Sequence, residues 1–195
     1  MGVGKKPIAT RTLWVEALAK ELLQPPFGDF SIDAVAKKLG VTKGSFYHYF
    51  SDKDAALHAL VEEWREELDR VTPIDEWAST KTLQEFLEAI VKVEASPLRQ
   101  AVYLLLPLLP MEHSIRQNIL SIHLERNKRY HAIFDRYHYP SEQADALLYA
   151  TLMYYVGFTL FKHSGLLSFG GRAPITDECM QALLAQMITR ASTLV

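Results

Sequence analysis

An unbroken run of five rings, Phe46 to Phe50, ends the stretch GVTKGSFYHYF. One helix face cannot bury all five rings, because residues on the same face are three or four positions apart. Phe46 and Phe50 share such a face and are predicted to be buried. The exposed remainder carries hydrogen-bond donors of the kinds that DNA phosphates and base edges accept. These donors are predicted on Lys43, Ser45, Tyr47 and His48.

The residues around this run suggest how a helix start could meet DNA. Gly44 costs about 1 kcal/mol relative to alanine within a helix, but without a Cβ the helix start can approach a DNA backbone closely. Thr42 is predicted as the N-cap, with free backbone N–H groups available to a phosphate. Lys53, near the start of the next helix, and Arg11, at the start of the first, are predicted to contact the flanking phosphates.

Capping residues and apolar spacing mark the helices that must position these side chains. Thr10 is predicted to cap a first helix whose apolar stripe comprises Leu13, Ala17, Leu18 and Leu22. Pro107 and Pro110 are predicted to mark a break or kink. The chain is predicted to be all-α. In the first part, helices are predicted over 10–23, over 31–39 with Ser31 as the cap and Gly40 as the stop, from Thr42, and from Ser51 to about Val71. In the second part, helices are predicted near 82–95, where Thr82 pairs with Glu85, near 97–106 with Ser96 as the cap, and near 113–137, 141–164 and 176–193.

Residues 31–57, SIDAVAKKLGVTKGSFYHYFSDKDAAL, resemble the N-terminal signature of TetR-family transcriptional regulators. In register are Val35-Ala36, the Gly-Val-Thr-Lys-Gly turn at 40–44, Tyr-His-Tyr-Phe at 47–50, and Lys53. The resemblance covers about the first third of the chain. The proline-rich QPPFGDFS segment departs from the family, which usually has a longer link between the first two helices.

The resemblance implies a fold and a function. It implies a three-helix, helix-turn-helix DNA-binding domain over residues 1–53 and a C-terminal helical ligand-binding and dimerisation domain over 54–195. It implies a homodimer whose two modules read half-sites of a near-palindromic operator, about 34 Å apart. An unknown small-molecule effector would change the separation of the two modules, and family habit implies repression of transcription.

Aromatic and histidine residues of the C-terminal part could line an apolar cavity with a few polar handles. For any one of them, plain helix-bundle core is the simpler interpretation. The candidate ligand-binding residues are Trp64, Phe86, Tyr103, His113, His123, Tyr130, Phe134, Tyr154 and Phe158.

Two C-terminal segments suggest a subunit interface. Residues 146–161 carry no charge, but the run is shorter than the roughly 20 apolar residues of a spanning helix and stops at Lys162. We therefore predict a helix buried on most of its circumference. The last helix has a wide apolar face, and both helices together predict a four-helix dimer interface. That last face comprises Met180, Leu183, Leu184, Met187, Ile188 and Ala191.

Composition and motif content limit the other functions. Residues 1–60 carry eight Lys and Arg against six Asp and Glu, whereas the remainder carries 13 against 17, so the positive end coincides with the ring-bearing helix. The single cysteine, Cys179, excludes a disulfide framework within one chain. No metal-ligand pattern, cofactor fingerprint or nucleophile motif is present, so no metal, no cofactor and no enzyme activity are predicted.

Alternatives to a regulator remain open at this point. One is a small helical enzyme or ligand-binding protein that retains a helix-turn-helix without regulatory use, and another is an architectural DNA-binding protein with no effector. The N-terminal MGVGKKPIATR lacks the apolar stretch of a signal peptide, and no membrane partner is predicted. A cytoplasmic location is therefore expected.

Overall fold

The computed structural model describes residues 9–71, 73, 76, 82–86, 96–164, 179, 182 and 186, and this part of the chain contains helices and no strand. The predicted all-α fold class is confirmed. Seven helices have defined bounds in these ranges: α1 Arg11–Leu22, α2 Ile32–Leu39, α3 Gly44–Tyr49, α4 Lys53–Val71, α5 Pro97–Leu108, α6 Ser114–Arg136 and α7 Ser141–Ser164.

Helix α2 begins and ends where its sequence predicts. The Ser31 hydroxyl accepts a hydrogen bond from the Ala34 N–H at 3.3 Å, as an N-cap does. Gly40 follows the helix with a φ of +69°, the left-handed conformation that glycine adopts most easily. The N–H of Gly40 donates to the carbonyls of Ala36 and Lys37, so the end of the helix is satisfied.

The first three helices share a core built around Phe46. Its ring meets Trp14 edge-on at 5.5 Å and lies 5.1 Å from Phe50. Phe46, Phe50, Val35 and Trp14 are all buried, so the predicted burial of the two phenylalanines is confirmed. This core fixes the orientation of α3 relative to α1 and α2.

Three predicted details of the N-terminal helices are wrong. Leu13 is 45% exposed, and the buried stripe of α1 instead comprises Trp14, Val15, Leu18, Ala19 and Leu22. Thr42 does not cap α3 with its side chain: Lys43 is the N-cap, and the Thr42 carbonyl accepts from the Ser45 N–H in a tight turn. Asp52, not Ser51, caps α4, because its carboxylate accepts from the Ala55 N–H at 2.7 Å.

The later helix starts follow the predicted capping pattern. Thr82 and Glu85 form a reciprocal box, in which the Thr82 N–H donates to the Glu85 carboxylate and the Glu85 N–H donates to the Thr82 hydroxyl. Ser96 caps α5 through the Arg99 N–H at 3.2 Å. Residues 83–86 are helical, and the rest of the helix predicted to 95 lies outside the described residues. Of the helix predicted over 176–193, residues 179, 182 and 186 are described and are helical, and the other positions lie outside the described residues.

Helix α5 lies at the centre of the packing and contacts α1, α4, α6 and α7. Pro107 lies inside its last turn, so the predicted break falls after Leu108 instead. The Arg116 side chain of α6 donates to the carbonyls of Leu106 and Leu109 and so satisfies the end of α5. The N-terminal module and the C-terminal helices are therefore joined through α5 and also through α4, which contacts α1, α5 and α6.

Gly28, in the loop between α1 and α2, lies against the end of α5. Its φ is +77°, and a Cβ at this position would overlap with Cδ1 of Leu108. Its N–H donates to the Leu22 carbonyl at 3.1 Å, which closes the loop back onto α1. Glycine is thus required here both by the backbone conformation and by the close approach of α5.

Helix α7 leaves part of its apolar surface open. Tyr149, Met153 and Phe161 are exposed, at 62%, 61% and 51%. The sequence predicts a helix that is buried on most of its circumference. In the single chain this prediction is wrong, because one apolar side of the helix is exposed to solvent. Within the described ranges, no helix is both long and apolar enough to span a membrane.

Candidate nucleic-acid interface and cavity

One side of α3 and the turn before it present the predicted donors to solvent. Thr42, Lys43, Gly44, Tyr47 and His48 are exposed, and Arg11 is exposed at the start of α1. The Tyr47 ring lies edge-on against the buried Phe46 at 5.3 Å, and the residue is 53% exposed. The backbone that carries these donors is therefore held by a packed core.

Ser45 differs from the other predicted contact residues. It is half-buried, and its hydroxyl oxygen accepts a hydrogen bond from the Trp14 indole N–H at 3.3 Å. The side chain therefore ties α3 to α1, and only its own O–H is left to donate elsewhere.

No steric contact within the described part of the chain requires a glycine at position 44. A Cβ at this position would meet a single nearby atom, the Thr42 hydroxyl oxygen at 3.7 Å, which is ordinary van der Waals contact. Its φ is not in the left-handed region, in contrast to Gly28 and Gly40. Nothing in the described fold requires a glycine at the start of α3.

Both lysines predicted to contact phosphates are paired with aspartates. Lys43 donates to Asp33 at 2.9 Å, and Lys53 donates to Asp29 at 2.7 Å while lying 5.0 Å from the centre of the Phe30 ring. The hydrogen bond from Asp33 raises the pKa of Lys43, and the hydrogen bond from Lys53 lowers the pKa of Asp29. All four side chains are exposed, so a phosphate can compete for the lysines.

A cavity of about 220 Å³ lies between α5, α6 and α7. Five leucines form the largest group in its wall, together with three tyrosines and four other polar or charged residues. Its lining comprises Tyr103, Leu106, Leu120, His123, Leu124, Arg126, Asn127, Tyr130, Leu148, Tyr149, Thr151 and Leu152.

Of the nine predicted ligand-binding residues, three line this cavity: Tyr103, His123 and Tyr130. Trp64 lies behind them, with its ring 5.4 Å from that of His123. His113 instead serves as the N-cap of α6, where its Nδ1 accepts from the Ile115 N–H.

The remaining predicted residues belong to packed ring clusters. Phe86 meets Tyr130 and Phe134 edge-on at 5.5 and 5.7 Å, which makes it core. Tyr154 and Phe158 stack on each other at 6.3 Å in α7, away from the lining of the cavity. All four rings thus pack against other rings, and none of them lines this cavity.

Sequence reasoning missed a buried basic cluster behind the cavity wall. The Tyr103 hydroxyl accepts from Arg99 Nε at 3.0 Å and Nη2 at 2.9 Å, and from Arg126 Nη2 at 3.2 Å. Burial lowers the pKa of Arg99 to about 10, and the nearby Arg126 charge adds to this effect. Arg126 follows His123 by three positions on the buried stripe of α6, and this spacing was the available signal.

The first comparison concerns the N-terminal helices. Residues 15–60 match a family model described as bacterial regulatory proteins, tetR family. The predicted resemblance to the TetR family is confirmed. The TetR-type match runs from α1 through the first part of α4 and includes the whole of α3. It gives the function class, a DNA-binding transcriptional regulator.

The second comparison concerns the fold. The crystal structure of a TetR-family transcriptional regulator from Bordetella parapertussis superposes with a TM-score of 0.57 at 16% sequence identity, covering 95% of this chain and 96% of that chain. The TetR-type fold therefore extends over both the helix-turn-helix module and the C-terminal helices. No curated protein matches the chain in sequence.

Proposed function

We propose that this TetR-type chain is a ligand-responsive repressor that binds a near-palindromic operator as a homodimer. In this proposal residues 1–53 read DNA, whereas residues 54–195 hold the effector and the partner subunit. The observation that carries it is the exposed donor face of α3, with Tyr47 and His48 beside a glycine that the fold does not need. A small helical enzyme or ligand-binding protein without regulatory use would leave the exposed donor face of α3 unexplained.

The contacts on DNA divide into two groups. Tyr47 and His48 lie on the exposed side of α3 and would meet base edges or phosphates in the major groove. Lys43 and Lys53 would exchange their aspartate partners for phosphates, and Thr42 and Arg11 would contact the backbone at the edges. Gly44 would let the sugar-phosphate backbone approach the start of α3.

A homodimer is supported by the open side of α7. Ala146, Tyr149, Ala150 and Met153 are exposed at the spacing of one helix face. A continuous apolar face of this kind is typical of subunit interfaces. We propose that two copies of α7 pack against each other through it.

The link between effector and DNA is proposed to run through α5. Tyr103 and Leu106 of α5 line the cavity, and Leu108 at its end lies against Gly28 of the N-terminal module. A ligand that prefers one position of α5 would shift the population toward one separation of the two reading heads. Because half-sites lie about 34 Å apart, a small pivot is enough to weaken binding.

The first experiment is selection of a preferred duplex from random DNA, followed by its affinity at two salt concentrations. We expect a near-palindromic duplex whose affinity falls steeply as salt rises. Tyr47→Ala and Lys43→Ala should weaken binding without changing the fold or the oligomeric state. Lys128→Ala, which removes an exposed lysine from α6, is the matched control.

Two results would contradict the proposal. If no sequence is enriched, α3 does not read DNA. If both α3 variants bind the selected duplex as tightly as the wild type, a surface other than α3 binds the DNA. A selected duplex also serves to screen for compounds that release the DNA from the protein.

A further inference from the structure

The cavity wall contains a buried cation that no described carboxylate pairs with. Arg126 is 9% exposed, and its guanidinium lies 5.4 Å from the centre of the Tyr130 ring. Its Nη2 donates to the Tyr103 hydroxyl, but its Nε and Nη1 have no hydrogen-bond partner. A buried charge without a counter-charge is strongly disfavoured, so this position suits a group that arrives with a negative charge.

Other unpaired polar atoms at the cavity wall also favour a negatively charged ligand. His123 is 6% exposed, and its Nδ1 lies 3.1 Å from Arg126 Nη2, which can only donate. The Nδ1 therefore accepts, which places the ring proton on Nε2, an atom that also has no partner. Burial, with the charges of Arg126 and Arg99, lowers the pKa of His123 well below 6.5 and keeps the ring neutral. The Tyr130 hydroxyl is unpaired as well.

The ring of His123 is held in place by its neighbours. It stacks on Tyr103 at 5.1 Å with an angle of 16° between the planes, and Trp64 lies 5.4 Å away on another side. The donors of Arg126 and His123 are thus fixed before any ligand arrives. Preorganised donors of this kind favour an oxyanion over a neutral group.

The rest of the cavity is mostly apolar, with Asn127, Tyr149 and Thr151 as its other polar residues. Leu120, Leu124, Leu148 and Leu152 line it, and of the two hydroxyl-bearing residues from α7, Tyr149 and Thr151, the latter already donates to the Leu147 carbonyl at 2.7 Å. An apolar cavity of about 150 Å³ is enough for benzene, so the observed 220 Å³ admits a single ring or a short chain with a carboxylate. The cavity therefore combines one cationic end with an apolar body.

We infer that the effector is a small monocarboxylate, with its carboxylate on Arg126 and His123 and its apolar part among the leucines. This inference rests on the proposed ligand-responsive function and specifies its ligand. Aromatic and short aliphatic acids share the required chemistry, and the two are separated by the test below.

The test measures binding of four compounds by calorimetry and by the shift in melting temperature. Phenylacetate and hexanoate are the carboxylate probes, and phenylacetamide and hexanamide are their uncharged matches. We expect the acids to bind at least tenfold more tightly than their amides, and the tighter acid identifies the preferred body. Equal binding of acid and amide, or no binding of either acid at millimolar concentration, would overturn the inference.

Three variants locate the site. Arg126→Gln should weaken binding of the acid at least tenfold, and Leu148→Phe should block it by filling the cavity while leaving the charge in place. Arg129→Gln, one turn further along α6 where the arginine pairs with Asp69, is the control and should bind as the wild type does. Unchanged binding by both Arg126→Gln and Leu148→Phe would place the acid elsewhere and refute the assignment.

A DNA-release assay on the selected duplex separates this inference from the proposed function. If neutral compounds release the DNA and acids do not, the chain is ligand-responsive and the assigned ligand class is wrong. If acids bind at Arg126 without changing DNA affinity, the site is correct and the proposed ligand response fails.

Discussion

Gly44 begins α3 without a steric need inside the chain, so its substitution separates folding from DNA binding. Alanine here should raise the free energy of unfolding by up to about 1 kcal/mol, because glycine is the poorer helix former. The same change should weaken DNA binding, and Gly44→Leu should weaken it further. Denaturant unfolding and duplex affinity measure the two effects. A larger loss of stability than of affinity would show that the glycine serves the fold.

In the proposed DNA contacts, the aspartates that pair with Lys43 and Lys53 would compete with the phosphates. We expect Asp33→Asn and Asp29→Asn each to tighten binding by no more than about fivefold, since exposed ion pairs are weak. Affinity for the selected duplex at low salt measures this, with Glu142→Gln on α7 as a control. Weaker binding by both variants would mean that the aspartates position the lysines rather than compete.

His123 makes stability depend on pH. Its folded-state pKa is lowered, so below about 6.5 the unfolded chain binds a proton that the folded chain does not. Its contribution to stability is complete above pH 6.5 and is lost as the pH falls toward the folded pKa, by about 1.4 kcal/mol per pH unit. His123→Gln should flatten the dependence of unfolding free energy on pH between 6.5 and 5, and His48→Gln, which removes an exposed histidine, should not.

Among the helices, starts and stops governed by neighbouring residues were predictable. Ser31, Gly40, the Thr82–Glu85 box and Ser96 act as their sequence positions indicate, because a cap needs only the backbone two or three residues away. Asp52 replaced Ser51 because both residues can cap and only the backbone geometry decides between them. Local rules therefore fixed the helices to within a residue or two.

The contact between the α1–α2 loop and α5 gives a prediction about two elements together. Gly28→Ala should lower the free energy of unfolding by about 2 kcal/mol, from its positive φ and from overlap with Leu108. In a Leu108→Ala background the loss should be smaller, because only the backbone strain remains. A double-mutant cycle measures the difference. If the effects of Gly28→Ala and Leu108→Ala on the free energy of unfolding are additive, α5 moves to accommodate the added Cβ without cost.

At the scale of the whole molecule, the open face of α7 predicts the oligomeric state. Met153→Glu should convert a dimer into a monomer and weaken operator binding, because a charge at the centre of an apolar interface is left unpaired. Sedimentation equilibrium measures this, and Met111→Glu, which changes an equally exposed methionine between α5 and α6, is the control. A dimer that survives Met153→Glu would exclude this face.

The two functional regions were predictable to different degrees. The α3 face follows from one short stretch, since burial of Phe46 and Phe50 leaves Tyr47 and His48 outside. The cavity depends on how three distant helices pack, so a ring such as Phe86 could not be told from a wall residue. Arg126 was missed because its spacing from His123 was the one available signal, and its immediate neighbours in sequence do not mark a charged side chain as buried.

The cavity is built from residues 103–152, whereas the face proposed to read DNA is built from residue 11 and residues 42–53, and no described residue belongs to both. Substitutions confined to the cavity lining therefore change no residue of the face proposed to read DNA. Under the proposed ligand response, a duplicated copy could acquire a new chemical signal and keep its original operators. The same separation would let a biosensor be retuned by library selection on the cavity leucines alone.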